Sequence, residues 1–134
     1  DYPKFIALQS KTLSMLEGFL QYVNDSGYPI DTFGVISAYR TPYYNRKIGN
    51  VPNSRHVYGD AMDLFIDRDK DGRLDDLDGN KQLNSNDVKV LYRLAIEFQE
   101  KSGGIYAGGI GKYPPRSHHD GFVHIDNRGY NARW

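Results

Sequence analysis

The chain lacks cysteine, an excess of charge of either sign and any long apolar run, and each absence removes a class of proteins. Without cysteine, neither disulfides nor thiolate metal sites can form, although this leaves the cellular compartment open. The formal net charge is zero, whereas nucleic-acid binders usually carry a basic excess, so we expect no nucleic-acid partner. No apolar run approaches the roughly 18 residues that span a bilayer, so we expect no membrane span.

The patterning that is present predicts one α+β domain over residues 1–134, and we expect a monomer. An apolar stripe of helical period predicts a helix over 4–24, and another runs from Val88 to Phe98. The first stripe contains Leu13, Leu16, Leu20 and Val23, widened by Ile6, Met15 and Phe19. Strands are predicted at 32–40, 60–67, 108–114 and 121–129. Together these elements predict a small antiparallel sheet packed against helices.

His56 and Asp63 stand on either side of Gly59. On one continuous helix they would be about 10.5 Å apart along the axis, and on one continuous strand they would point to opposite faces. They can therefore converge only if the backbone bends between them, and Gly59 is where a bend costs least. If strand 60–67 pairs with strand 121–129, alternation allows Asp63 and His124 to lie side by side.

Two histidines and one carboxylate, with a fourth position left for water, form the ligand set of a catalytic zinc site. Zinc there would lower the pKa of its water towards about 7 and polarise a bound carbonyl. The residues alone leave an alternative open, in which His56 is an ordinary loop histidine and Asp63 is a capping or ion-paired carboxylate.

Several segments resemble the M15 family of zinc peptidases. They are the pattern S-x-H-x-x-G-x-A-x-D at 54–63, the downstream "FVHID" at 122–126 and "SAYRTPYYN" at 37–45. The family contains D-alanyl-D-alanine carboxypeptidases and dipeptidases and peptidoglycan endopeptidases, and the hedgehog signalling domain shares its fold. The resemblance implies a hedgehog/D,D-peptidase-like fold, and it implies that His56, Asp63 and His124 bind one zinc ion.

The resemblance also implies roles for Arg40 and Ser54. Arg40 corresponds to the family arginine that holds substrate and supports negative charge on the scissile carbonyl, a task suited to a permanently charged guanidinium. A structural ion pair with the acidic segment is the alternative for Arg40. Ser54 corresponds to a family serine near the substrate, and it could equally be a turn residue.

The proton-transfer residue is the point where this chain departs from the family pattern. Many relatives place Glu or Asp three residues before the last histidine ligand, where this chain has Gly121. Others place a histidine five residues before that ligand, which matches His119 and makes it the first candidate. Asp120 is the second candidate, and Asp126 is positioned to orient a histidine ligand.

The acidic stretch 67–87 is predicted to be a calcium-binding insertion resembling EF-hand and dockerin loops. The ligands of one calcium ion are expected from Asp67, Asp69, Asp71, the Arg73 carbonyl and Asp78. A second, overlapping loop offers Asp76, Asp78, Asn80, the Gln82 carbonyl and Asp87, with Lys81 in place of the usual glycine. The alternative is a solvated acidic loop in which Asp87 caps a helix.

The function predicted from these features is a zinc metallopeptidase that acts on peptidoglycan peptides, as a D,D-carboxypeptidase or an endopeptidase. His56, Asp63 and His124 would hold zinc, Arg40 and Ser54 would contact substrate, and His119 or Asp120 would move the proton. The alternative is a hedgehog-like recognition module that binds zinc and calcium without turnover. We expect a periplasmic or extracellular protein, with a chain beginning at Asp1 being a mature or trimmed form.

Overall fold

The computed structural model describes residues 6–134, which form three α-helices, one 3-10 turn and five β-strands. In chain order these are α1 (Ser10–Asp25), β1 (Gly34–Ser37), α2 (Pro42–Lys47), the 3-10 turn (Arg55–Tyr58), β2 (Ala61–Phe65), α3 (Ser85–Lys101), β3 (Gly109–Tyr113), β4 (Phe122–Asp126) and β5 (Ala132–Arg133). No helix within residues 6–134 is long and apolar enough to cross a membrane.

The strands form one sheet in the order β1-β2-β4-β3-β5. The first four are paired antiparallel, whereas β5 runs parallel to β3. The predicted α+β class is confirmed, with the correction that this sheet is mixed because of one short parallel strand that the sequence pattern did not indicate.

The first helix is shorter than predicted, and the N-terminal part of its predicted apolar stripe does not face the core. Residues 4 and 5 lie outside the described residues, and α1 begins at Ser10 because Gln9 is extended and donates its backbone N–H to the Gly59 carbonyl at 2.9 Å. Leu13 is 53% exposed and Ile6 is 79% exposed, so the predicted stripe was wrong at its N-terminal end. Its remaining members are buried or pack against the core. The fully buried members of the stripe are Met15, Phe19 and Val23, and the Phe19 ring packs 5.4 Å from that of Phe98 in α3.

Strand alternation divides the central strands into a core face and a polar face. Met62, Leu64, Val123 and Ile125 belong to the same buried core as the apolar residues of α1 and α3. Because successive side chains point to opposite sides of a strand, the residues between them face the other way. The next polar residues, Asp63 and His124, therefore lie together on the face away from that core.

The acidic insertion is anchored to the core at two points. Leu74 and Leu77 are buried, and Tyr28 donates its hydroxyl to the Leu77 carbonyl at 3.2 Å. Burying a leucine side chain contributes on the order of 2 kcal/mol. These contacts tie the loop to the rest of the described chain.

Candidate metal centre

The bend between His56 and Asp63 is built on the 3-10 turn and Gly59. Gly59 follows the turn in the left-handed conformation, with φ of 70°, where a side chain is strained. A Cβ at this position would also collide with the carbonyl oxygen of Ala7. The Gly59 carbonyl accepts the Gln9 N–H and the Thr12 hydroxyl, at 2.9 and 3.0 Å. The start of α1 therefore holds the bend that brings His56 over β2.

The three predicted zinc ligands meet on the polar face of the sheet. Asp63 and His124 are direct partners in the β2–β4 register. The Asp63 Oδ1 atom lies 3.2 Å from Nε2 of His56 and 2.9 Å from Nδ1 of His124. All three residues are buried, with exposures of 3%, 4% and 6% for His56, Asp63 and His124. Donors about 2.0–2.1 Å from a tetrahedral zinc ion are about 3.4 Å apart, so these separations are close to those of a ligand set.

Each of the two histidines has one ring nitrogen that faces Asp63, the inner nitrogen, and one that faces away from it, the outer nitrogen. The hydrogen bonds of the outer nitrogens leave the inner nitrogens free to bind a metal ion. His56 Nδ1 must donate to the Ala38 carbonyl, 2.6 Å away, because a carbonyl oxygen only accepts. His124 Nε2 donates to Asp126 Oδ2 at 2.9 Å. In neutral imidazoles, His56 Nε2 and His124 Nδ1 then carry lone pairs aimed at one carboxylate oxygen. Such an arrangement needs a proton or a cation between the atoms, so the donor set fits a divalent metal.

The charges of the centre follow from this geometry. When the inner nitrogens of the two histidines carry protons in place of a metal, burial would raise the pKa of Asp63, but hydrogen bonds from His124 and His56 outweigh it and lower the pKa to about 2. Burial would lower the pKa of His124, but its contacts with Asp126 and Asp63 raise it above the ordinary value. For Asp126, the hydrogen bonds of His124 and Arg128 overcome burial and hold its pKa well below the usual range.

Arg40 adjoins the same carboxylate from the β1 side. Its Nη2 atom lies 3.2 Å from Asp63 Oδ2, and its Nε donates to Ser37 Oγ at 2.8 Å. Its backbone N–H also donates to the His56 carbonyl at 3.1 Å. The arginine is thus paired with a candidate metal ligand. It does not form the ion pair with the acidic insertion that was the alternative left open by the sequence.

A cleft of about 630 Å³ opens onto the three candidate ligands. Arg40 and Ser54 line it, as expected of residues near a substrate. Several other lining residues had no role predicted from the sequence: Asn50, Val51, Asn53, Arg55, Phe122, Arg128, Tyr130 and Trp134. Arg128 and Trp134 lie beyond the last ligand motif, and Trp134 is the single tryptophan of the chain, which was the one available signal.

The two proton-transfer candidates lie outside the lining of this cleft. His119 packs edge-on against Phe122, a lining residue, with ring centroids 4.9 Å apart. The Asp120 carboxylate accepts two hydrogen bonds from the Arg73 guanidinium, at 2.9 and 3.1 Å. Their catalytic roles stay predictions. Among the described lining residues, the candidate ligands His56, Asp63 and His124 supply every imidazole and carboxylate.

The two predicted calcium loops share a backbone hydrogen-bond pattern. Asp67 accepts the N–H groups four and five residues later at 3.1 and 2.9 Å, and Asp76 accepts the corresponding pair at 3.2 and 2.7 Å. The sixth loop position is left-handed in both, with φ of 83° at Gly72 and 66° at Lys81. Lysine therefore adopts the turn that glycine favours, at some cost in strain.

The carboxylates of each loop converge on one side. Ligand atoms lie within 4.8 Å of one another in two groups: Asp67, Asp69 and Asp71, and Asp76, Asp78 and Asp87. Asp87 also accepts the N–H groups of Leu77 and Asn84 at 2.8 Å, and it completes a capping box at the start of α3. The capping role left open for Asp87 is thus present, and calcium binding by either loop stays a prediction.

Comparison with known families bears on the whole arrangement. A family model described as Peptidase M15 matches residues 6–85, more than half of the chain. The chain belongs to the Peptidase M15 family. The match contains Arg40, His56 and Asp63 and ends before His124. No curated protein and no solved structure matches this chain. Membership makes this M15 chain a peptidase in general terms, and the family is typically zinc-dependent.

Proposed function

We propose that this M15 chain is a zinc metallopeptidase that hydrolyses peptide bonds in peptidoglycan stem peptides or cross-links, as a D,D-carboxypeptidase or an endopeptidase. The observation that carries the proposal is the convergence of His56 Nε2, His124 Nδ1 and Asp63 Oδ1 at the floor of an open cleft. Solvent access matters because a catalytic zinc site keeps one position open for water or substrate.

Each residue of the centre has a task that follows from its contacts. Zinc supplies an acidified water and a Lewis acid for the scissile carbonyl. Asp126 holds the His124 proton on Nε2, which leaves the lone pair of Nδ1 free to bind a metal ion. Arg40 is fixed by Ser37 and Asp63, so its guanidinium is oriented before substrate arrives and can stabilise negative charge on the carbonyl oxygen. Ser54 contributes a hydroxyl at the cleft wall.

Proton transfer is assigned to His119, as the family resemblance suggests, or to the neighbouring Asp120. His119 packs against Phe122 outside the cleft lining, and the Asp120 carboxylate is held by Arg73. Activity therefore requires the segment around residues 114–121 to bring one of the two groups to the cleft. Of the two, His119 needs to break no ion pair to do so.

The acidic insertion is assigned one or two calcium ions as part of this proposal. Without a cation, the carboxylates of 67–78 would repel one another, and hard cations take six to eight oxygen ligands of this type. The arrangement supports a single peptidase domain whose calcium loops bind weakly, as suits the periplasmic or extracellular location we propose for this monomer.

A second candidate function is a hedgehog-like module that binds zinc and calcium for recognition and hydrolyses nothing. The observation that favours it is that no carboxylate or imidazole lines the described cleft besides the three candidate ligands. A site without a group to move protons would retain metal affinity and lose turnover.

The deciding experiment uses the zinc-loaded protein and a panel of stem peptides and cross-linked muropeptides. Release of D-alanine or cleavage of a cross-link, lost in His56→Ala and restored by zinc after chelation of the native protein, supports the peptidase. Stoichiometric zinc with no hydrolysis across the panel supports the recognition module. The control is Tyr44→Phe, since Tyr44 is exposed and does not line the cleft.

A further inference from the structure

Trp134 occupies the face of the sheet immediately beside His124. The strand β3, beside the strand of His124, has no side chain at Gly111, which is the register partner of His124. A Cβ at Gly111 would collide with the indole of Trp134, so the indole lies directly over the backbone of β3. Its ring centroid is 5.3 Å from that of the His124 imidazole. A side chain at 111 would occupy the place that the indole now takes.

The indole is held from several directions. The Trp134 N–H donates to the Ile110 carbonyl at 3.2 Å, and the Trp134 carbonyl accepts from Lys112 at 2.9 Å. Indole Nε1 donates to the Tyr113 hydroxyl at 2.8 Å, and the Tyr113 ring stacks on Phe122 with centroids 4.7 Å apart. All three aromatic residues line the cleft. Trp134, Tyr113 and Phe122 therefore form one fixed surface, which we name the aromatic wall.

The strand order places this wall and Arg40 on different sides of the candidate ligands. Arg40 follows β1, the ligands Asp63 and His124 lie on β2 and β4, and the aromatic wall lies over β3 and the end of β4. A peptide bond placed at the metal would thus have a guanidinium on the β1 side and a flat apolar surface on the β3 side. The Arg128 guanidinium is bound by Asp126 and also lies over the Trp134 ring, 5.3 Å from its centroid.

We propose that Trp134 is a specificity-determining residue whose wall receives the substrate residue next to the scissile bond and selects an uncharged, apolar side chain there. This inference rests on the proposed peptidase function and adds the substrate preference of the same site. Aromatic rings offer a large, rigid contact surface, and an anionic side chain placed against them would lose water without gaining a partner. A cation is attracted to an indole face, but the Arg128 guanidinium already lies over the Trp134 ring and would repel a second positive charge there.

The first test needs no turnover, because Trp134 is the single tryptophan of the chain and its fluorescence reports on the wall. Titration of the zinc-loaded protein with a synthetic pentapeptide ending in D-Ala-D-Ala, or with a cross-linked muropeptide, should shift the emission saturably. Gly111→Ala should displace the indole, shift its emission to the red and abolish the response with zinc stoichiometry unchanged. The matched control is Gly18→Ala, which adds a methyl group to α1 beside Phe98 of α3, and it should respond as the native protein does.

The second test compares peptides that carry alanine, aspartate or lysine beside the scissile bond. The native protein should prefer alanine by at least about tenfold in kcat/KM, the scale of discrimination that apolar pockets give. Trp134→Ala should raise KM for the alanine peptide about tenfold and flatten the preference, whereas Trp134→Phe should retain it. A thermal melt and zinc analysis of each variant show that the fold and metal are intact.

The outcomes separate this inference from the proposed function. If the native protein hydrolyses none of the peptides, the peptidase proposal fails, while a saturable emission change would still support the wall as a peptide-contact surface. No emission change with any peptide overturns the inference. It is likewise overturned if Trp134→Ala keeps the native preference, or if its kinetic loss comes from lost zinc.

Discussion

Asp126 is a sensitive point of the metal centre, because its carboxylate decides which nitrogen of His124 carries the proton. Its oxygens accept from His124 Nε2 at 2.9 Å, from the Gly109 N–H at 2.8 Å and from the Arg128 guanidinium. In Asp126→Asn the amide oxygen can still serve the Gly109 N–H. The amide NH2 then faces His124 and donates to Nε2, which moves the imidazole proton to Nδ1. That proton occupies the position where a metal ion would bind.

The expected size of this effect follows from the role of outer hydrogen bonds. Loss of such a partner lowers metal affinity by about 10–100-fold, which is about 1.4–2.8 kcal/mol of binding free energy. We expect Asp126→Asn to reach the upper end, since the substitution both removes a negative charge and favours the wrong tautomer. Asn also leaves Arg128 without its bidentate partner, so the free energy of unfolding falls as well and must be measured separately.

The assay is zinc affinity by competition with a chromophoric chelator, combined with histidine nitrogen shifts from NMR of the metal-free protein. The matched control is Asp60→Asn, since Asp60 is equally buried and pairs with Arg55 without touching a candidate ligand. Zinc affinity of Asp126→Asn within threefold of the native value would refute the tautomer argument. An equal loss in Asp60→Asn would show that general destabilisation is the cause.

Three further predictions concern Arg40, the proton-transfer group and the insertion. Arg40→Lys should lower kcat/KM by about 10²-fold or more with zinc retained, because an ammonium cannot replace the oriented fork; an unchanged kcat/KM contradicts this role. If His119 is the general base, kcat/KM should rise with increasing pH through a pKa below 6.5, since burial and the charges of neighbouring groups lower the pKa of His119. His119→Gln should then abolish this rise. If the rise with pH persists in His119→Gln and is lost in Asp120→Asn, the general base is Asp120. Calcium at millimolar concentration should raise Tm in the native protein, less so in Asp67→Asn or Asp76→Asn, and no rise in the native protein would exclude a structural calcium ion.

The central part of the site was predictable because it depends on short-range rules. Alternation along two strands placed Asp63 and His124 on matching faces, and their register pairing confirmed the predicted adjacency. A bend at Gly59 was predicted on the condition that His56 and Asp63 converge, and the structure shows the left-handed backbone that glycine permits. The direct contact of His56 with the Ala38 carbonyl was not predictable, because it joins segments whose relative position depends on the whole sheet.

Other features escaped the sequence because they are set by distant packing. The stripe of α1 was predicted to include Leu13, yet the packing of Phe19 against α3 leaves Leu13 exposed. The strand β5 spans two residues, too few for a hydrophobic pattern, and it forms by pairing with β3. The ion pair between Arg73 and Asp120 joins two exposed loops, and no local pattern indicates such a contact.

The measurement that tests the central claim most directly is a crystal structure of the zinc-loaded protein with anomalous data on both sides of the zinc absorption edge. The account predicts one strong peak about 2.0–2.2 Å from His56 Nε2, His124 Nδ1 and an oxygen of Asp63, with a further ligand position open to the cleft. Zinc bound elsewhere, or a site that lacks any one of these three atoms, would contradict it.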